Sequence, residues 1–126
     1  MIFGTGTDII EISRIEKAAT RTQAFLDKIF TENEQSYCEA QKAGKFQGYA
    51  ARYAAKEAFF KALGTGYRYG MSFREIEIVN DALGKPDIRV HGKTKAFVLK
   101  NRIVHMHLSL SHVKETALAF VVLETE

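Results

Sequence analysis

Phe46-Gln47-Gly48-Tyr49-Ala50-Ala51-Arg52-Tyr53-Ala54-Ala55-Lys56-Glu57-Ala58-Phe59-Phe60-Lys61-Ala62-Leu63 runs straight into Gly64-Thr65-Gly66. The stretch is rich in alanine, lacks proline, and meets a glycine where a helix C-cap belongs. It predicts one long helix over 46–63, the central element of the chain. On its N-terminal side Gly44 ends a preceding helix, predicted from Thr31 to about residue 42 by the Thr31/Glu34 capping signal. Ser13 and Glu16 repeat that signal and predict a helix over 13–24. Ahead of it, Ile2, Phe3, Ile9 and Ile10 flank Gly4-Thr5-Gly6-Thr7. That pattern predicts a buried strand whose glycines admit another backbone or a ligand at close range.

On the C-terminal side the period changes. Phe73, Ile76, Ile78 and Val79 predict a strand over 73–79, and Asn80 to Gly84 a turn. A short strand at 87–91 follows Lys85-Pro86, then one or two helical turns at 94–101. Strands over 103–112 and 116–124 are joined through Val113-Lys114-Glu115 as a hairpin. The order of strand, helices, then adjacent strands lacks the crossover helices of a parallel sheet. The expected architecture is therefore α+β, a single domain over 1–126, with a largely antiparallel sheet packed on a long central helix.

The chain has 126 residues, a formal net charge of +3 and one cysteine, with 46% hydrophobic and 26% charged residues. The estimated pI is about 9.0. This composition suits a folded domain and excludes disorder. No apolar run reaches the ~20 residues of a membrane span, and MIFGTGTDII lacks the basic-then-apolar order of a secretory signal. Cys38 has no internal disulfide partner, so a reducing cytoplasm is expected. The positive balance favours phosphates, an acidic protein or nucleic acid as partners. A nucleic-acid module needs a basic face interleaved with exposed aromatics. Here 15 acidic residues dilute the scattered cations, and the aromatics fall at core-like positions, so no nucleic acid is expected.

Candidate chemistry begins with Asp8, a carboxylate in an apolar strand, where an ion is costly unless paired or bound to a metal. Capping of the next helix is the plainer role for Asp8 alone. On the long helix Ala50, Ala54, Glu57 and Lys61 share a face, while Arg52 and Lys56 lie one turn apart on another side. A surface pair is the plainer role for Glu57 and Lys61, but the alanines beside Glu57 leave room for a ligand. Beyond Lys61, the backbone of Gly64-Thr65-Gly66 can approach a phosphate closely. Two carboxylates from separate elements suit magnesium, which uses one or two such ligands together with waters and substrate phosphates. These residues together suggest metal-assisted phosphoryl transfer, either to a hydroxyl or, as a phosphohydrolase, to water. Near the C-terminus His105, His107, Ser109 and Ser111 alternate onto one strand face and His112 onto the other, an arrangement unsuited to zinc.

Four ordered segments resemble the holo-acyl-carrier-protein synthases, the small bacterial type of phosphopantetheinyl transferase. They are Gly4-Thr5-Gly6-Thr7-Asp8-Ile9 with Arg14-Ile15; Arg52 to Lys61 with Gly64-Thr65-Gly66; Gly84-Lys85-Pro86; and His107-Leu108-Ser109-Leu110-Ser111-His112. The resemblance spans nearly the whole chain. It implies the phosphopantetheinyl transferase fold assembled as a homotrimer, with coenzyme A in clefts between subunits. It further implies that Asp8 and Glu57 hold Mg2+ (or Mn2+) with the coenzyme's diphosphate, and that Lys61, Gly64, Thr65 and Gly66 line the diphosphate path. Arg52, with Lys45 and His107, would face the 3′-phosphate, and Pro86 the adenine. A serine of acyl carrier protein, in the service of fatty acid biosynthesis, would displace adenosine 3′,5′-bisphosphate. Arg14, Lys17 and Arg21, spaced three and four apart on one helical face, would dock the acidic carrier. That stripe favours transfer over hydrolysis. Tyr53 departs from the family's usual phenylalanine or tryptophan, and Thr5 and Thr7 from its usual aliphatic residues.

Overall fold

The computed structural model describes residues 1–126. In chain order, β1 is Ile2–Glu11, α1 Ile12–Arg21, α2 Gln23–Ile29, α3 Glu32–Ala40 and α4 Lys45–Leu63. These are followed by β2 Ile76–Asn80, β3 Pro86–Val90, α5 Gly92–Lys100, β4 Ile103–His112 and β5 Thr116–Thr125. The class is α+β, as expected. The strands form two antiparallel sheets, one of three strands in the order β1-β5-β4 and one of two, β2-β3. No helix is long and apolar enough to cross a membrane.

The central helix forms as its composition predicts and stops at Gly64, whose φ of 79° is open to glycine and whose N–H bonds to the Phe60 and Lys61 carbonyls. One face of the three-stranded sheet packs on it, burying Ala117, Ala119, Val121 and Leu123 of β5. The contact with β1 is unusually close. A Cβ on Gly6 would lie 1.9 Å from the Ala58 carbonyl oxygen, and one on Gly4 2.0 Å from that of Ala62. Glycine is required at both positions so that strand and helix backbones can meet directly. The opposite sheet face leaves Ile9, Leu118 and Phe120 exposed.

Inside the core an ion pair links three elements. Lys56 and Glu34 are both fully buried, with Nζ 2.7 Å from Oε1. Lys56 also donates to the Phe73 and Ile76 carbonyls, and Glu34 Oε2 accepts from the Ile78 N–H. Every polar atom of the pair thus serves α3, α4 or the entry to β2. Burial draws the Lys56 ammonium below its ordinary range, against the opposing charge of Glu34. Cys38, also wholly buried, packs where a Cβ on Gly48 would meet its Sγ at 3.2 Å. Desolvation pushes its thiol up to about 11.

Three local expectations are corrected. The helix predicted over 13–24 is two helices, because Thr22 is extended (φ −158°, ψ 139°) and its hydroxyl accepts from the Ala24 N–H as a new N-cap. The Ser13–Glu16 box does not form; Glu11 is the N-cap of α1 and makes no side-chain capping bond. The Thr31–Glu34 box does form, in both directions. The strand predicted from residue 73 starts at Ile76, since Phe73–Glu75 make a 3-10 turn whose carbonyl and carboxylate serve Lys56 and α5. The hairpin through residues 113–115 is as predicted, with β4 and β5 paired from Ile103↔Thr125 to His112↔Ala117.

Candidate active site

The close seam between β1 and α4 sets the position of Asp8. Alternation along the strand points Gly4, Gly6 and Asp8 at the helix. Two strand residues advance ~6.7 Å and four helical residues ~6 Å, so the match of Gly4 to Ala62 and Gly6 to Ala58 carries Asp8 toward Ala54 and its neighbour Glu57. Lys61, one turn beyond Glu57, leans back toward the helix N-terminus. Its Nζ donates to the Asp8 carboxylate at 3.0 Å and to the Thr7 carbonyl at 3.0 Å. Asp8 is largely covered, with 16% of its side chain exposed, whereas Lys61 is 54% exposed.

Glu57 is met from the other direction by Tyr67, whose hydroxyl donates to Oε1 at 2.5 Å. The Tyr67 phenol is driven above its ordinary range first by burial, then by its hydrogen bond to Glu57 and that carboxylate's charge, with Asp8 adding a smaller push. Tyr53 is raised in the same sense, by burial, then by the charge of Glu57 and a hydrogen bond to that carboxylate, with a smaller contribution from Asp8. Both carboxylates therefore act on the same pair of phenols. Gly64 and Gly66 stand just past the helix at φ 79° and 62°, with open space where a Cβ would point. Thr65 between them turns its hydroxyl onto the Gly66 carbonyl. Nothing in the sequence pattern marks Tyr67. The turn that returns it to Glu57 is created by the positive-φ glycines.

Arg52 lies elsewhere on the same helix. It is buried, stacked 4.4 Å over the Tyr37 ring, and its Nη2 donates to Asn80. Its Nε has no partner although it is out of contact with solvent. A buried guanidinium N–H left unpaired is costly unless a ligand takes it. Arg52 lines a mainly polar cavity of about 350 Å³ with Tyr37, Asn80, Pro86, Leu110 and His112. Pro86 and Arg52 thus line the same cavity. His107 does not: it is on the outward face of β4, and its Nε2 pairs with Glu124. Strand alternation places His112, rather than His107, on the inward face with Leu110, and His112 is the histidine of the cavity. Lys45 also lies apart, paired with Glu39 at 3.4 Å.

The basic residues of the first helix are where the spacing puts them. Ile12 and Ile15 bury one side of α1, while Arg14, Lys17 and Arg21 are exposed. Their charge is free to act on an approaching partner.

The oxygen-only donor set at the seam fits magnesium. Protein hydrogen bonds engage one oxygen of each carboxylate, Lys61 at Asp8 Oδ1 and Tyr67 at Glu57 Oε1. Nowhere do three or more His, Cys, Asp or Glu side chains gather. A pair of carboxylates completed by water and phosphate is the arrangement that small, hard cation favours.

With this geometry stand the similarities to known proteins. Residues 4–121 match the model of the 4′-phosphopantetheinyl transferase superfamily. The chain is 50% identical over 119 residues to the holo-[acyl-carrier-protein] synthase of Ruminiclostridium cellulolyticum, covering 94% of this chain and 89% of that one. Its structure resembles that of the Neisseria meningitidis holo-[acyl-carrier-protein] synthase, with a TM-score of 0.90, 41% identity, and 99% and 100% of the two chains covered. It also resembles the Bacillus anthracis enzyme solved in complex with CoA (3′,5′-ADP), with a TM-score of 0.83, 42% identity, and 100% and 99% covered. The chain belongs to the 4′-phosphopantetheinyl transferase superfamily, an enzyme family, on the branch whose members are the holo-[acyl-carrier-protein] synthases.

Proposed function

We propose that this enzyme transfers the 4′-phosphopantetheine group of coenzyme A to a serine of apo-acyl carrier protein, releasing adenosine 3′,5′-bisphosphate, in a magnesium-dependent reaction that supports fatty acid biosynthesis in the cytoplasm. The observation that supports the reading is the glycine-lined seam between β1 and α4, across which Lys61, one turn beyond Glu57, binds the Asp8 carboxylate. The relatives' name and the CoA complex of one of them supply the substrate class.

Asp8 and Glu57 would hold magnesium (manganese in its place), which when bound neutralises charge on the diphosphate. Lys61 adds a mobile cation at the same point. Its exposed stem lets Nζ serve Asp8 or a phosphate oxygen. Gly64-Thr65-Gly66 presents backbone to the diphosphate with no side chain in the way at either glycine. Arg52, with its unpaired Nε, supplies a buried cation for the 3′-phosphate, beside Pro86 and His112. The carrier's serine oxygen, passing its proton to a site carboxylate or a water, bonds to the phosphorus nearer the pantetheine, and the bond from that phosphorus to the bridging oxygen breaks, its electron pair leaving with adenosine 3′,5′-bisphosphate. Arg14, Lys17 and Arg21 steer the acidic carrier to the site.

Arg52 and Lys61 are nine residues apart, so they project about 180° from each other around α4. Two chains facing each other across a cleft would bring both kinds of group to one coenzyme molecule. The exposed apolar sheet face, with Ile9, Leu118 and Phe120, suits such an assembly, a homotrimer in this family reading.

The test mixes the enzyme with apo-carrier, coenzyme A and Mg2+ and weighs the carrier by mass spectrometry, with coenzyme A hydrolysis followed when the carrier is omitted. A phosphopantetheine gain is expected, and Asp8→Asn and Glu57→Gln should each lower the rate at least ~100-fold, equivalent to ~2.7 kcal/mol. Wild-type rates for both variants in magnesium would overturn the proposal.

A further inference from the structure

We infer that Tyr67 is a positioning residue for Glu57: its hydroxyl holds one carboxylate oxygen and so presents the other to the divalent cation. The inference rests on the metal reading above and adds a residue to it. The Tyr67 hydroxyl donates to Glu57 Oε1 at 2.5 Å. Although the residue is 54% exposed, with water available, the phenol is directed at the carboxylate.

The ring is held to that aim. It meets Phe60 edge-on at 5.1 Å and 81°, and Phe73 at 4.8 Å and 65°. Phe60 belongs to α4, the helix that carries Glu57, so donor and acceptor are referred to the same rigid element. The connecting backbone turns at Gly66 (φ 62°), Tyr69 (φ 63°) and Gly70 (φ 74°), which folds the segment back over the helix end.

The result is matched support on the two carboxylates. Lys61 holds Asp8 Oδ1 and Tyr67 holds Glu57 Oε1, with the Tyr53 phenol a second neighbour of the Glu57 carboxylate. A carboxylate fixed through one oxygen offers the other in a defined direction. An unsupported one must give up rotamer freedom when a cation binds. Loss of an outer hydrogen-bond partner of this kind typically weakens metal binding about 10- to 100-fold.

Tyr67→Phe removes the hydroxyl and keeps the ring contacts. Mn2+ titrations followed by electron paramagnetic resonance compare wild type, Tyr67→Phe and Glu57→Gln. Tyr67→Phe is expected to raise the Mn2+ dissociation constant about 10-fold. It should raise the Mg2+ concentration for half-maximal transfer similarly, with kcat recovered at saturating Mg2+ and an unchanged melting temperature. Wild-type Mn2+ affinity in Tyr67→Phe, with binding lost in Glu57→Gln, would overturn the role of Tyr67 alone. Wild-type affinity in Glu57→Gln would overturn the metal reading and this inference together.

Discussion

Lys56 and Glu57 are adjacent in sequence and opposite in circumstance. Glu57 reaches the surface, whereas Lys56 carries its charge into the core, where Glu34 and two carbonyls receive every proton it can donate. Such a pair adds little over an apolar substitute, but losing one partner strands the other in low dielectric. Lys56→Met is therefore expected to destabilise the fold by about 3–5 kcal/mol. Adding Glu34→Leu should recover much of that loss, as read by urea denaturation. A single variant as stable as wild type would show that water reaches Glu34.

Among the elements, α5 depends most on a distant side chain. His91 at its N-cap supplies no side-chain bond. The carboxylate of Glu75 does so instead, accepting from the Lys93 N–H at 2.9 Å, the Thr94 N–H at 3.2 Å and the Thr94 hydroxyl at 2.8 Å. Burial tends to raise the Glu75 pKa, but these donors outweigh it and hold the group below its ordinary 4.5. A carboxyl depressed in the folded state stabilises fully above 4.5 and loses that contribution as pH falls through the folded value. Glu75→Gln should thus cost about 1 kcal/mol at pH 7, and the gap to wild type should close in acid, as measured by denaturation across pH. A gap that persists unchanged below that point would refute the cap. This tie also marks the limit of local pattern. The long helix, the Thr31 box and the β4–β5 hairpin were legible because neighbouring residues decide them. The 3-10 turn at Phe73–Glu75 was not, since its groups answer to Lys56 and Thr94 far away in sequence. For the site, helical phase put Glu57 and Lys61 on one face, while residue type left Asp8 open between a helix cap and a ligand; in the structure Lys61 binds it. Strand alternation already set His112 apart from His107, but Tyr67 reaches Glu57 through turn geometry, which spacing does not encode.

For the molecule as a whole, the proposed coenzyme site, with Arg52 and Lys61 on opposite sides of α4, calls for sites shared between chains. An Asp8→Asn chain and an Arg52→Ala chain, each inactive alone, should regain activity when co-assembled, because some clefts then combine two intact halves. Carrier mass after mixed refolding measures the gain. No recovery, with mixed oligomers demonstrated, would place both halves in one chain. The sealed thiol of Cys38, its Sγ tucked against Gly48, has a practical corollary. Maleimide dyes will pass over the native protein, so a reporter cysteine installed at an exposed helical position, Lys95 of α5 for instance, becomes its sole labelling point without any need to remove the original sulfur.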